Sequence, residues 1–175
     1  MALGEFDIIR EFFSQQRVNT DLIPVGVGDD AAVINTRADE QLLISIDTLN
    51  LGVHFPQQTS AYDIGYKALA VNLSDIAAMG GEPKWFTLAL SLPQVDQDWL
   101  SEFTRGLASL ANQYQLSLVG GDTTKGPLSI TIQIAGTVPT GKSMKRSGAE
   151  VGDDIYVTGT LGDACLLYTS DAADE

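Results

Sequence analysis

Four short stretches of the chain place an aspartate beside glycine or a small hydroxyl residue: Gly28-Asp29-Asp30, Ser45-Ile46-Asp47-Thr48, Asn72-Leu73-Ser74-Asp75 and Gly120-Gly121-Asp122-Thr123-Thr124. Glycine admits a ligand close to the backbone, and a carboxylate at the end of a rigid element is both held and accessible. Mg²⁺ keeps several waters and takes only one or two protein carboxylates, with substrate phosphates completing its octahedron. Single aspartates converging from separate loops suit that ion better than a dense cage. Taken one at a time the stretches have a plainer reading, because Asp and Gly are turn formers. Asp75 is the exception. It falls inside the strongest helical pattern of the chain, near its C-terminal end, where a negative charge opposes the helix dipole and Asp is a poor helix former. A metal ion is a sufficient compensating charge.

The overall charge bears on the same chemistry. Ten Lys and Arg against 23 Asp and Glu leave −13, with one histidine, His54. A protein this acidic repels nucleotides and phosphorylated substrates unless cations reverse the local field. Lys142, Lys145 and Arg146 cluster after a predicted strand, where they suit a polyphosphate or else form solvated surface. Residues 136–143, GTVPTGKS, match the phosphate-loop pattern G-x-x-x-x-G-K-[ST] behind a strand-like ITIQIAG. A phosphate loop must run straight into a helix, and MKRSGAEVGDD has no apolar stripe and soon meets Gly148. A hairpin or crossover carrying basic residues is the expectation there.

The elements that must position these residues follow from apolar spacing. Phe6, Ile9, Phe12 and Phe13 predict a short helix over 5–16 that serves as scaffold. GVGDDAAVI after Pro24 and LLISIDTL at 42–49 read as two strands. Ile64, Leu69, Leu73 and Ile76 mark a helix over 61–79 that stops at Gly80-Gly81. WFTLALSL at 85–92 is a strand, 97–114 a helix, and QLSLVGG and LSITIQIAGTV two more strands. IYVTGT at 155–160 follows the Gly-rich SGAEVGDD and could open a second domain. The pattern implies a mixed α+β layer.

Composition bounds the rest. The 175 residues, 44% hydrophobic and 19% charged, are enough for one domain with a core, or a domain and part of another. The acidic balance excludes a general nucleic-acid binder. MALGEFDIIREFF lacks a signal-peptide pattern and no apolar run of about 18 residues occurs, so a cytoplasmic, non-membrane protein is expected. The lone Cys165 allows no internal disulfide, and one histidine puts a Cys/His zinc site out of reach.

GVGDDAAV, SIDTLNLGVHF, YKALAVNLSDIAAMGGEP, LVGGDTTKGPLSITIQIAGTVP and RSGAEVGDDIYVTGTLGDA together resemble the N-terminal half of the bacterial thiamine-monophosphate kinase family, in the superfamily of aminoimidazole-ribonucleotide synthetase. The resemblance spans residues 1–164. It implies transfer of the ATP γ-phosphate to the phosphate of thiamine monophosphate. It further implies that Asp30, Ser45, Asp47, Asp75 and Asp122 hold several magnesium ions, with Ile46 offering only its backbone carbonyl. Gly121, Asp122 and Arg146 would contact ATP, and His54, in isolation an ordinary loop histidine, would line the substrate pocket. No general base is implied. The implied fold is α+β, a mixed sheet with helices packed on one face, its sheet pairing across a homodimer to form a barrel. The implied divisions are an ATP- and magnesium-binding, dimerising domain over 1–140, and a connector with the start of a truncated C-terminal domain over 141–164. Residues 165–175, CLLYTSDAADE, read in frame as a translated transposase-end adapter and are expected to be an artificial tail on an inactive fragment. Other readings are a different ATP-using enzyme of the superfamily, a P-loop NTPase, and a non-catalytic metal-binding dimerisation domain.

Overall fold

The computed structural model describes residues 5–14, 19–27 and 31–156, and the chain divides into two compact units, Met1–Ser143 and Met144–Glu175. In the first unit, runs of β-branched and aliphatic residues form four strands: β1 (Glu40–Asn50), β2 (Glu82–Leu92), β3 (Ser117–Lys125) and β4 (Ser129–Pro139). They make one mixed sheet in the order β1-β4-β2-β3, with β4 antiparallel to β1 and β2 and with β3 parallel to β2. The helices are α1 (Glu5–Ile8), α2 (Ala61–Ala78) and α3 (Gln97–Gln113).

Period-two alternation decides which side of the sheet is covered. Phe86, Leu88, Leu90 and Leu92 of β2 and Ile130, Ile132 and Ile134 of β4 are buried with Leu69 of α2 and Phe103 and Leu107 of α3. Each such side chain contributes about 1.5–3 kcal/mol by leaving water. The other face is open: Leu42, Ile44 and Ile46 of β1 are 49%, 56% and 62% exposed. Ser60 starts α2 by accepting the Asp63 amide at 3.1 Å, and Asp96 starts α3 by accepting the Trp99 amide at 3.1 Å.

The predicted α+β layer with a mixed sheet is present, and the four strands and two long helices fall within a few residues of their expected bounds. Two expectations change. The helix over 5–16 is α-helical only to Ile8 and continues as a π-helical turn, Ile9–Phe13, in which the Ser14 amide and hydroxyl both donate to the Ile9 carbonyl. A hydroxyl that competes for the backbone acceptor favours this looser turn. The strand expected over 26–34 is, among the described residues, reduced to isolated bridge residues, with Val25 pairing antiparallel to Val33. The intervening glycines and acids leave few residues able to extend a ladder.

In the second unit the described residues contain one 3₁₀ turn, Arg146–Gly148. Of the strand predicted over 155–160, only Ile155 and Tyr156 are described, and neither is in a strand. The segment 165–175 lies outside the described residues, as does Asp30. No helix among the described residues is long and apolar enough to cross a membrane.

Candidate functional site

Helix α2 lies over β1 and β4, and its last turn brings Asp75 to the middle of β1, where the Ser45 hydroxyl donates to Asp75 Oδ2 at 2.5 Å. This is the compensation that the sequence demands of a carboxylate at a helix C-terminus: a fixed O–H dipole points at the charge. Asp47 stands two residues along β1 on the same helix-covered face, about 7 Å from Ser45 at two strand rises. Ser45 and Asp75 are therefore in direct contact at the β1 edge, with Asp47 on the same face beside them. Ile46 turns its side chain to the open face.

Asp122 is elsewhere. The ladder aligns it with Ala89, Thr131 and Thr48 in one row, and the Thr48 and Thr131 hydroxyls of that row bond at 2.8 Å on the open face. Asp122 is thus on the opposite face from Asp47 and at the opposite edge of the sheet, three strand spacings or roughly 14 Å away. The structure brings Ser45, Asp47 and Asp75 together and leaves Asp122 apart, so one ion cannot meet both sets in one chain. Among the described residues no three His, Cys, Asp or Glu side chains converge as a metal cage. Hard oxygen donors in ones and twos nonetheless fit Mg²⁺, which draws its remaining ligands from water and phosphate.

At the β3 edge a cavity of about 510 Å³ is lined by Gly120, Gly121, Asp122 and Thr123 on one side and by Ile9, Phe13, Val27 and Ala32 among others. A Cβ on Gly121 would fall 1.9 Å from the Leu88 carbonyl oxygen, so strand contact demands glycine there. A Cβ on Gly120 would meet nothing within 4 Å, which leaves its backbone open to a ligand.

His54 sits on the turn that follows β1. Its Nδ1 accepts the Asn50 amide at 3.0 Å, and Lys67 Nζ of α2 donates to its carbonyl at 2.6 Å. The imidazole is exposed, while the adjoining Phe55 is buried in the core.

The matched family model, AIR synthase related protein, N-terminal domain, covers residues 28–138, which takes in β1, α2, β2, α3, β3 and all but the last residue of β4. The chain belongs to this family. It is 52% identical over 164 residues to the thiamine-monophosphate kinase of Salmonella typhimurium, across 94% of this chain and 50% of that protein. Among solved structures, thiamine-monophosphate kinase from Stenotrophomonas maltophilia K279a matches with 51% identity and a TM-score of 0.81, over 97% of this chain and 54% of that one. The structure named AaThiL complexed with AMPPCP and TMP matches with 31% identity and a TM-score of 0.69, over 98% of this chain and 56% of that one. The chain spans about half the length of the curated relatives it matches.

Within this AIR synthase related domain the phosphate-loop pattern is a structural coincidence. Gly136 to Pro139 complete β4, and a Cβ on Gly136 would stand 2.7 Å from the Glu82 carbonyl oxygen and 2.8 Å from Ile76 Cγ2. Its glycine is there to let α2 and β2 approach. Gly141, at φ +75°, makes a turn in which its amide donates to Gln41 Oε1 at 2.9 Å and Thr140 donates to the Asp39 carbonyl. Arg37 holds the Asp39 carboxyl below the usual carboxylate range by a hydrogen bond, on exposed surface where such a pair is worth little. No helix follows in the first unit. Lys142 belongs to the first unit, Lys145 and Arg146 to the second, and all three are exposed.

Two groups of site residues escape a reading of the sequence. Ile9 and Phe13, expected to be plain scaffold, form part of the cavity wall. Asn50 holds His54 from within the turn, four residues away, and Lys67 carries no local signal, since its pairing depends on how the turn and α2 meet in space.

Proposed function

We propose that this chain is the nucleotide- and metal-binding half of a magnesium-dependent kinase that phosphorylates thiamine monophosphate at the expense of ATP, working in the cytoplasm. The observation that carries this reading is the 52% identity to a thiamine-monophosphate kinase sustained over 94% of the chain. A solved relative named for AMPPCP and TMP supports both substrates. A phosphate oxygen of thiamine monophosphate attacks the γ-phosphorus, the bond from that phosphorus to the β–γ bridging oxygen breaks, and thiamine diphosphate and ADP result. The acceptor is already ionised at neutral pH, so no residue is needed as a general base. Catalysis then rests on alignment of the two anions and on charge neutralisation.

In this proposal Ser45, Asp47 and Asp75, with Asp30 and, at the other edge, Asp122, hold magnesium, and Ile46 adds at most its carbonyl. When bound, the ions supply positive charge that screens both phosphates. Gly121, Asp122 and Arg146 are the proposed ATP contacts, with the backbone of Gly120 open beside Gly121, and His54 meets thiamine monophosphate. Asp75 is held at the β1 edge by the Ser45 bond and by α2 packing before any ligand arrives.

The proposed assembly is a homodimer in which two sheets pair into a barrel. It is supported by the exposed Leu42, Ile44 and Ile46 and by the position of β1 and β3 as the edge strands of the sheet among the described residues, which closure of a barrel would pair. The proposed divisions are 1–140 for the binding and dimerising domain, 141–164 for the start of a second domain, and 165–175 for an added tail. Thiamine diphosphate formation by residues 1–175, by residues 1–164 and by residues 1–164 joined to the remaining half of the Salmonella typhimurium enzyme tests the whole reading. Turnover by the joined protein alone is expected. No turnover by a folded joined protein, or equal turnover by the 175-residue chain, refutes it.

A further inference from the structure

The turn after β1 is more heavily built than an ordinary loop. The Gly52 amide donates to the Phe55 carbonyl at 2.9 Å, and the Val53 and His54 amides both donate to the Asn50 carbonyl, at 3.3 and 3.0 Å. Gly52 takes φ +81°, which lets the chain reverse within these few residues. Leu51 and Phe55 form a bridge, and Phe55 anchors the far end at 2% exposure. These bonds are all local. Beyond the Phe55 anchor and the Leu51 amide, which donates to the Leu128 carbonyl at 3.4 Å, a side-chain hydrogen bond ties the turn to α2: Lys67, on the second turn of that helix, donates its ammonium to the His54 carbonyl at 2.6 Å across 13 residues of sequence. A lysine normally keeps its charge in water and its rotamer freedom, and here it gives up part of both for a main-chain oxygen.

The imidazole is fixed as well. His54 Nδ1 accepts the Asn50 amide at 3.0 Å, and a ring nitrogen that accepts a hydrogen bond carries no proton. The neutral ring therefore has its proton on Nε2, directed away from the turn and available to an acceptor. We infer that Lys67 is a positioning residue: by clamping the His54 carbonyl it keeps the turn closed, and so holds His54 as an Nε2–H hydrogen-bond donor for an anionic or carbonyl-type acceptor on the substrate. What His54 meets rests on the substrate reading given above. The clamp itself does not. Loss of the Lys67 bond lets the turn open, the Asn50 amide exchanges to water, and the ring relaxes to a mixture of tautomers.

The chain's single histidine makes the test direct, because a long-range ¹H–¹⁵N spectrum shows one pair of ring nitrogens. The folded 175-residue protein at about pH 8 is expected to show Nδ1 unprotonated and Nε2 protonated, with their full separation. In Lys67→Met, which keeps the aliphatic stem, that separation falls by roughly half or more, and in Lys67→Arg, which keeps a charged donor, it is retained. Lys67→Gln carries the same test if the methionine variant fails to fold. A wild-type ring with its proton on Nδ1 or with averaged tautomers, or a Lys67 variant lacking the charge that keeps the wild-type separation, overturns the inference. Thiamine monophosphate is then added to the wild type. A shift of the Nε2 signal is expected, and its absence removes the substrate reading of His54 while leaving the clamp decided by the first spectra.

Discussion

Replacing Asp75 by asparagine separates a metal ligand from a structural residue, because the two roles move stability in different directions. The change keeps the shape of the side chain and removes one charge. In the last turn of α2 that charge opposes the helix dipole, so neutralising it returns about 0.3–1 kcal/mol. Against this, the 2.5 Å bond from the Ser45 hydroxyl loses its ionic acceptor and becomes an ordinary neutral bond, a loss of about 0.5–1.5 kcal/mol. The two nearly cancel, and without metal the variant should unfold within about 1 kcal/mol of the wild type, a few degrees in midpoint. Magnesium breaks the tie. At a concentration ten times its Kd, an ion bound only by the folded state stabilises the wild type by about 1.4 kcal/mol, and Asp75→Asn should lose most of that gain. Thermal unfolding of both proteins with and without MgCl₂, with CaCl₂ as a control for general screening, measures each quantity. An equal magnesium shift in the variant refutes the assignment of Asp75 as a ligand. A loss beyond about 2 kcal/mol in the absence of metal shows instead that the carboxylate is a structural element.

Gly136→Ala should lower stability by about 1–3 kcal/mol in thermal unfolding, since the new methyl meets the Glu82 carbonyl and Ile76; unchanged stability with lost nucleotide affinity would return the segment to a phosphate loop. In the joined protein, Arg146→Ala should raise the KM for ATP well above the effect of Lys142→Ala, and the reverse ranking in steady-state kinetics contradicts the assignments made here. Ile44→Lys places a charge on the exposed apolar face of β1 and should convert a dimer to a monomer in sedimentation, with unchanged circular dichroism; a dimer that survives the change is not built on this face.

The elements themselves were legible in the residues. The alternation of Leu43, Ser45, Asp47 and Leu49 with Leu42, Ile44 and Ile46 specifies β1 and its two faces, because pleat geometry is local. The apolar positions of α2 and its terminal Gly80-Gly81 specify that helix for the same reason, and the dipole rule alone marks Asp75 as needing a partner. Which partner was not legible. Ser45 is thirty residues away, and only the packing of α2 across β1 decides that its hydroxyl meets Asp75. Strand order is likewise a tertiary decision: four aspartate segments of one design look alike in sequence, yet the order β1-β4-β2-β3 sends Asp122 to the far edge and opposite face from Asp47. The glycines of 136–143 match a phosphate-loop pattern letter for letter, and only the closeness of Glu82 and Ile76 reveals that Gly136 serves packing. Local rules set what each segment becomes, because they act over a few residues; which side chains share a site depends on long-range contacts that no single segment encodes.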